Sequence, residues 1–120
     1  MNQLNCITPQ VLNVTHQDPL LEMTLFVPSE LDYFKGHFNV APILAGVVQL
    51  DWAVKYAKQY LGLADLAVQN VEVLKFQVVI VPDMTITLKI EKKSETKFVF
   101  SYHSLRGQHA SGRVVLGHPL

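Results

Sequence analysis

One stretch of this chain, residues 44–61, reads as a helix, and almost everything on either side of it alternates as strands do. That combination constrains the fold more than any other feature. Within the stretch, Leu44, Ala45, Val47, Val48, Leu50, Trp52, Ala53 and Val54 cover nearly the whole circumference, and only Gln49 and Asp51 interrupt them. A helix apolar all round is expected to be buried. Its second half carries Lys55, Lys58 and Gln59, so that end should reach solvent, and Gly62 should stop it. Before the helix, Leu21, Met23, Leu25 and Val27 alternate with polar neighbours, and residues 10–15 form an earlier strand closed at Gln17-Asp18-Pro19. After it, Leu74, Phe76, Val78 and Ile80 are expected to share one face up to the break at Pro82-Asp83. Met84, Ile86, Leu88 and Ile90 alternate strictly. Further strands carry Thr96, Phe98, Phe100 and Tyr102, then Ala110, Gly112, Val114 and Leu116, with turns near residues 92–95 and at Arg106-Gly107. Strands, one helix, then an antiparallel meander predict an α+β hotdog fold, a curved sheet wrapped around one long buried helix. A ferredoxin-like split would need a second helix, and the sequence offers none.

Length and composition bound the function. With 120 residues, the chain fits a single domain, 1–120, with a core of its own. It is 49% hydrophobic and 17% charged, whereas roughly a quarter of residues are charged in an ordinary domain. The surplus apolar surface points to an oligomer interface or a lipophilic pocket. Lys+Arg and Asp+Glu are both 10, so no net field favours nucleic acid or an anionic membrane. The lone Cys6 permits no internal disulfide and no multi-cysteine metal site. Residues 1–5 lack a signal-peptide pattern and no apolar run is long enough to span a bilayer, so a cytoplasmic setting is expected.

The chemistry concentrates in residues 33–52. Gly36-His37-Phe38 is followed by Pro42, Gly46 and Asp51, which lie 5, 9 and 14 residues after the histidine. Further on, Lys75-Phe76 leads to Pro82. These spacings resemble the β-hydroxyacyl-acyl-carrier-protein dehydratases of fatty-acid synthesis, over most of the chain from about residue 20 onward. Residues 43–52 also look like a branch of dehydratase-like proteins tied to polyene or other specialised lipid pathways. The resemblance implies that His37 is the general base and that the Gly46 amide polarises the thioester carbonyl. It implies that Asp51 handles the departing hydroxyl, with Phe38 and Val47 beside the substrate. It also implies that histidine and acid of one site come from different subunits, hence a homodimer or a higher assembly of dimers. The substrate would be a thioester of acyl carrier protein or CoA, and no cofactor is called for. The chain departs from the family at Asn39 and Val40, where Pro and Gly are common, and at Ala45, where Pro is common.

The physical chemistry agrees with those residue types. Dehydration removes an α proton and protonates a leaving hydroxyl, which suits a group titrating near neutrality. Charge develops on the thioester oxygen, where a first-turn helix amide is a ready donor. Glycine there lets substrate approach the backbone. Each residue also has a plainer reading. His37 could be a loop histidine, Asp51 an ion pair with Lys55, and Gly46 a packing glycine. Gln49 and Trp52 read as core or interface. His16, His103, His109 and His118 have no partner at metal spacing and read as structural or exposed. Two other functions compete. A hotdog thioesterase could use Asp51 to activate water, though it has no need of His37. A catalytically weak subunit could pair with an active partner.

Overall fold

The alternation of the sequence becomes one antiparallel sheet. The computed structural model describes residues 6–34 and 42–118. Its strands are β1 (Gln10–Gln17), β2 (Leu20–Phe26), β3 (Ala67–Phe76), β4 (Thr85–Ser94), β5 (Lys97–Ser104) and β6 (Gly107–Gly117). A short 3-10 turn, Asp32–Phe34, and the helix α1 (Gly46–Tyr60) lie between β2 and β3. The sheet order is β1-β2-β4-β5-β6-β3 with every pairing antiparallel, so β3 and β1 are the edges. Every second residue of the inner strands is buried: Leu21, Met23 and Leu25; Ile86, Leu88 and Ile90; Phe98, Phe100 and Tyr102. They form one core with Val48, Trp52, Ala53, Tyr56 and Ala57 of α1. This is the hotdog arrangement.

The ends of α1 follow from local chemistry. The Leu61 amide closes the last turn on the Ala57 carbonyl at 2.9 Å, and Gly62 then takes φ +70°. A Cβ on Gly62 would meet nothing within 4 Å, so glycine is needed for the left-handed backbone and not for space.

Two expectations are corrected. The helix is not buried all round: Val47 is 72% exposed and Asp51 is exposed, so a stripe of α1 faces outward from the single chain. The strand expected over residues 74–80 begins earlier, at Ala67, and ends at Phe76, and of the four residues expected to share a face only Ile80 is buried. The pairing of β3 with β6 slips between Glu72 and Lys75, where Val73 has φ 52°. A bulge of this kind breaks the two-residue period on which the sequence reading rests. β3 lies at the sheet edge, with Val73, Leu74 and Phe76 exposed.

Tyr102 ties the sheet to the helix. Its hydroxyl donates to the Gln49 carbonyl at 2.6 Å. Burial pushes this phenol well above its usual value of 10.0, and the nearby Tyr56 and Asp51 add to the rise. The folded state therefore keeps a proton that the unfolded chain releases above pH 10. The contribution is complete below that pH and is lost as pH rises from about 10 toward the folded value. Tyr102→Phe should cost about 0.5–1.5 kcal/mol at neutral pH. In denaturant titrations, the gap between parent and variant should narrow, then close, as pH climbs past 10.

Candidate active site

The helix start is built to leave donors open. The Leu44 amide bonds the Ile80 carbonyl at 2.7 Å, anchoring the entry to α1. Ala45 caps the helix at φ −62° and ψ 147° with no side-chain hydrogen bond. That φ is the one proline would impose, so alanine here reproduces the entry that the missing proline would have preset. The amides of Val48 and Gln49 both return to the Ala45 carbonyl, at 3.1 and 3.2 Å. Those of Gly46 and Val47 have no acceptor inside the helix. The positive end of the helix dipole adds to their pull on a developing anion.

Gly46 opens onto a cavity of about 210 Å³ whose walls include Gln49, Phe76, Val78, Val79 and His109. A Cβ on Gly46 would stand 2.5 Å from the Phe76 ring, which bears out the packing reading of this glycine. Phe76 is half exposed and can swing aside. Gly46→Ala should therefore change stability by less than ~1 kcal/mol. If the Gly46 amide polarises the thioester as the motif implies, the methyl group and the displaced Phe76 ring would crowd the first turn and turnover should fall roughly 100-fold. Thermal melts beside steady-state rates would separate the two effects.

His109 is fully buried in β6. Its Nδ1 meets the Val78 carbonyl at 2.9 Å and its Nε2 meets the Ser104 hydroxyl at 2.6 Å. A carbonyl can only accept, so Nδ1 carries a proton and both ring nitrogens are engaged. This histidine staples β6 to the segment after β3 and has no nitrogen free for substrate.

Of the residues expected at the site, Gly46 lines the cavity, and His37 and Phe38 lie outside the described residues. Val47 points outward. Asp51 sits on the same outer side, beside Val54, Lys55 and Lys58. Five residues past Gly46, it is turned about 140° around the helix, so one chain does not bring the two to a common cavity. The ion pair with Lys55, the plainer alternative for Asp51, is not among those formed by the described residues. Lys55 instead holds its Nζ 5.9 Å from the Tyr56 ring centre. Gln49, read from the sequence as core or interface, is 4% exposed and also lines the cavity.

The sequence matches the ApeI-like family, described as ApeI dehydratase, over residues 13–113. This chain belongs to that family. It is thereby a hotdog dehydratase by family, though not specifically one of the fatty-acid-synthesis branch that its motif resembles. Two solved structures are similar at family level. One is an uncharacterized protein from Erwinia carotovora subsp. atroseptica, 32% identical, with TM-score 0.79 over 92% of this chain and 97% of that one. The other is the dehydratase heterocomplex ApeI:P from Xenorhabdus doucetiae, 30% identical, with TM-score 0.82 over 91% of this chain and 97% of that one. The dehydratase domain of a mycocerosic acid synthase-like polyketide synthase shares the fold at 17% identity and TM-score 0.65, over 96% of this chain and 41% of its own. No curated protein sequence matches. Among the described residues, no helix is long and apolar enough to cross a membrane.

Proposed function

We propose that this chain dehydrates a β-hydroxyacyl thioester, carried on acyl carrier protein or CoA, to the trans-2-enoyl thioester. The observation that carries the reading is the uncapped first turn of α1 opening onto a largely apolar cavity at Gly46. An amide there is placed to draw charge from a thioester carbonyl, which makes the α hydrogen acidic. His37 takes that proton. The C–O bond then breaks as Asp51 of a second chain, in its acid form, gives its proton to the hydroxyl, which leaves as water. The proton on His37 afterwards returns to the carboxylate through solvent. A carrier-protein substrate would put the reaction in the cytoplasm.

The need for a second chain is supported by what one chain leaves uncovered. Asp51 and Val47 face outward, and Ile43, Phe76 and Val79, which line the cavity with Gly46, are exposed as well. Exposed apolar stripes of this kind mark interfaces. The partner is a second copy in a homodimer or higher assembly. The similar Xenorhabdus protein is a heterocomplex, which favours a sister dehydratase as the alternative. Light scattering of the chain purified alone separates the two.

The reaction is tested with a short β-hydroxyacyl thioester, following enoyl absorbance and free thiol together. Enoyl product without thiol is expected. Thiol release matching substrate loss would mean hydrolysis, and the thioesterase reading would replace this one.

A further inference from the structure

Gln49, which lines the cavity beside Gly46, carries one polar atom that the fold does not use. Gln49 is 4% exposed, and its Nε2 donates to the Leu44 carbonyl at 3.1 Å. That carbonyl can only accept, so the amide cannot be turned round, and Oε1 is left as the free end. Among the described residues, this oxygen is buried with no hydrogen-bond partner. The polar groups around it are committed elsewhere. Tyr102 donates to the Gln49 main-chain carbonyl, and His109 is held by Val78 and Ser104. A buried acceptor without a donor is costly and uncommon in a folded protein. It persists where something outside the fold supplies the donor.

The helix sets the acceptor one turn from a donor. Residues 46 and 49 lie about 60° apart around the axis and about 4.5 Å apart along it. A β-hydroxyacyl thioester carries the complementary pair: a carbonyl oxygen that accepts, and two carbons away a hydroxyl that donates. We infer that Gln49 Oε1 receives the β-hydroxyl hydrogen while the Gly46 amide holds the carbonyl, which makes Gln49 the residue that selects hydroxylated acyl groups. The inference rests on the proposed dehydratase reading. With its hydrogen held by Gln49, the hydroxyl keeps its lone pairs free for the incoming proton. Once water leaves, the enoyl product has no donor for Oε1, so the contact that fixed the substrate does not retain the product. A saturated acyl chain would leave Oε1 without a donor, and sites of this type reject such analogues.

The test uses two N-acetylcysteamine thioesters with both α hydrogens replaced by fluorine, one with a β-hydroxyl and one without. Neither can eliminate, so each can be measured as a competitive inhibitor of the full protein in its native assembly. The parent should bind the hydroxylated analogue about 10-fold tighter, the value of one hydrogen bond to a buried neutral group. In Gln49→Met the ratio should fall to about 1, with the non-hydroxylated analogue bound as before. If Gln49→Met fails to fold, Gln49→Leu and the parent ratio still decide. Equal binding of the two analogues by the parent, or an unchanged ratio in a folded variant, overturns the assignment, as would a tightly held water on Oε1 that both ligands leave in place. A parent that prefers the hydroxylated analogue yet forms no enoyl product upholds Gln49 as the hydroxyl acceptor and overturns the dehydratase reading alone.

Discussion

His37→Ala and Asp51→Asn should each leave a folded protein whose dehydration rate has dropped by ~100-fold or more, the low end of what a positioned acid or base contributes. Folding should survive at Asp51 because the side chain is exposed and forms no ion pair among the described residues. A lost surface carboxylate costs little stability. The sharper result comes from mixing the two inactive variants. If one site takes its histidine from one copy and its acid from the other, a mixed dimer rebuilds one intact site of its two. Random reassembly of equal amounts makes half of the dimers mixed, so about a quarter of the parent rate should return. No recovery, after exchange has been verified by mass, would mean that the acid and the base belong to one chain. The 140° turn between Gly46 and Asp51 would then have to be bridged by some movement of α1. Should the lone chain instead pair with a sister dehydratase, mixing restores nothing, and co-purification reveals that partner first.

Sequence and structure diverge where the chain leaves regular periods. The inner strands β2, β4 and β5 were legible because buried residues recur at every second position and face one core. The end of α1 was legible because Gly62 has a backbone only glycine adopts freely. Its start was not, since Ala45 caps it without a side-chain bond and so leaves no residue signature; the expected start at residue 44 gives way to Gly46. β3 was misread because Val73 at φ 52° breaks the two-residue pattern where the pairing with β6 slips. Gly46, which lines the cavity, was marked in the sequence by its spacing from His37. Gln49 was not, because its meaning lies in hydrogen bonds that only the folded chain shows. Only with Tyr102 on its main-chain carbonyl and the Leu44 carbonyl on its Nε2 does Oε1 stand out as unused. The one hint was local: a lone amide in the most apolar turn of the helix. His109 gave no hint at all, since Val78 and Ser104 meet it only through the sheet.

Trp52→Ala should be the most damaging change outside the site, at about 3–5 kcal/mol. The indole is 1% exposed in the middle of α1, among the buried residues of the sheet. Its Nε1 also donates to the Ile7 carbonyl at 3.0 Å, which draws the N-terminal segment to the helix. A loss of that size consumes a large part of the roughly 5–15 kcal/mol that holds a domain together. Trp52→Phe divides the two contributions. It keeps most of the packing and gives up the hydrogen bond, so urea midpoints should place it much nearer the parent than Trp52→Ala. The effect should reach the chemistry as well. Trp52 lies on the sheet-facing side of the helix that carries Gly46 and Gln49, and side-chain packing there sets how α1 rests on the strands. In conditions where Trp52→Ala remains mostly folded, turnover should fall further than the loss of folded protein explains, because small misplacements of a positioned amide are expensive. Equal losses of activity and folded fraction would show that the first turn of α1 is held from its own end, by the Leu44 amide on the Ile80 carbonyl, without help from the core.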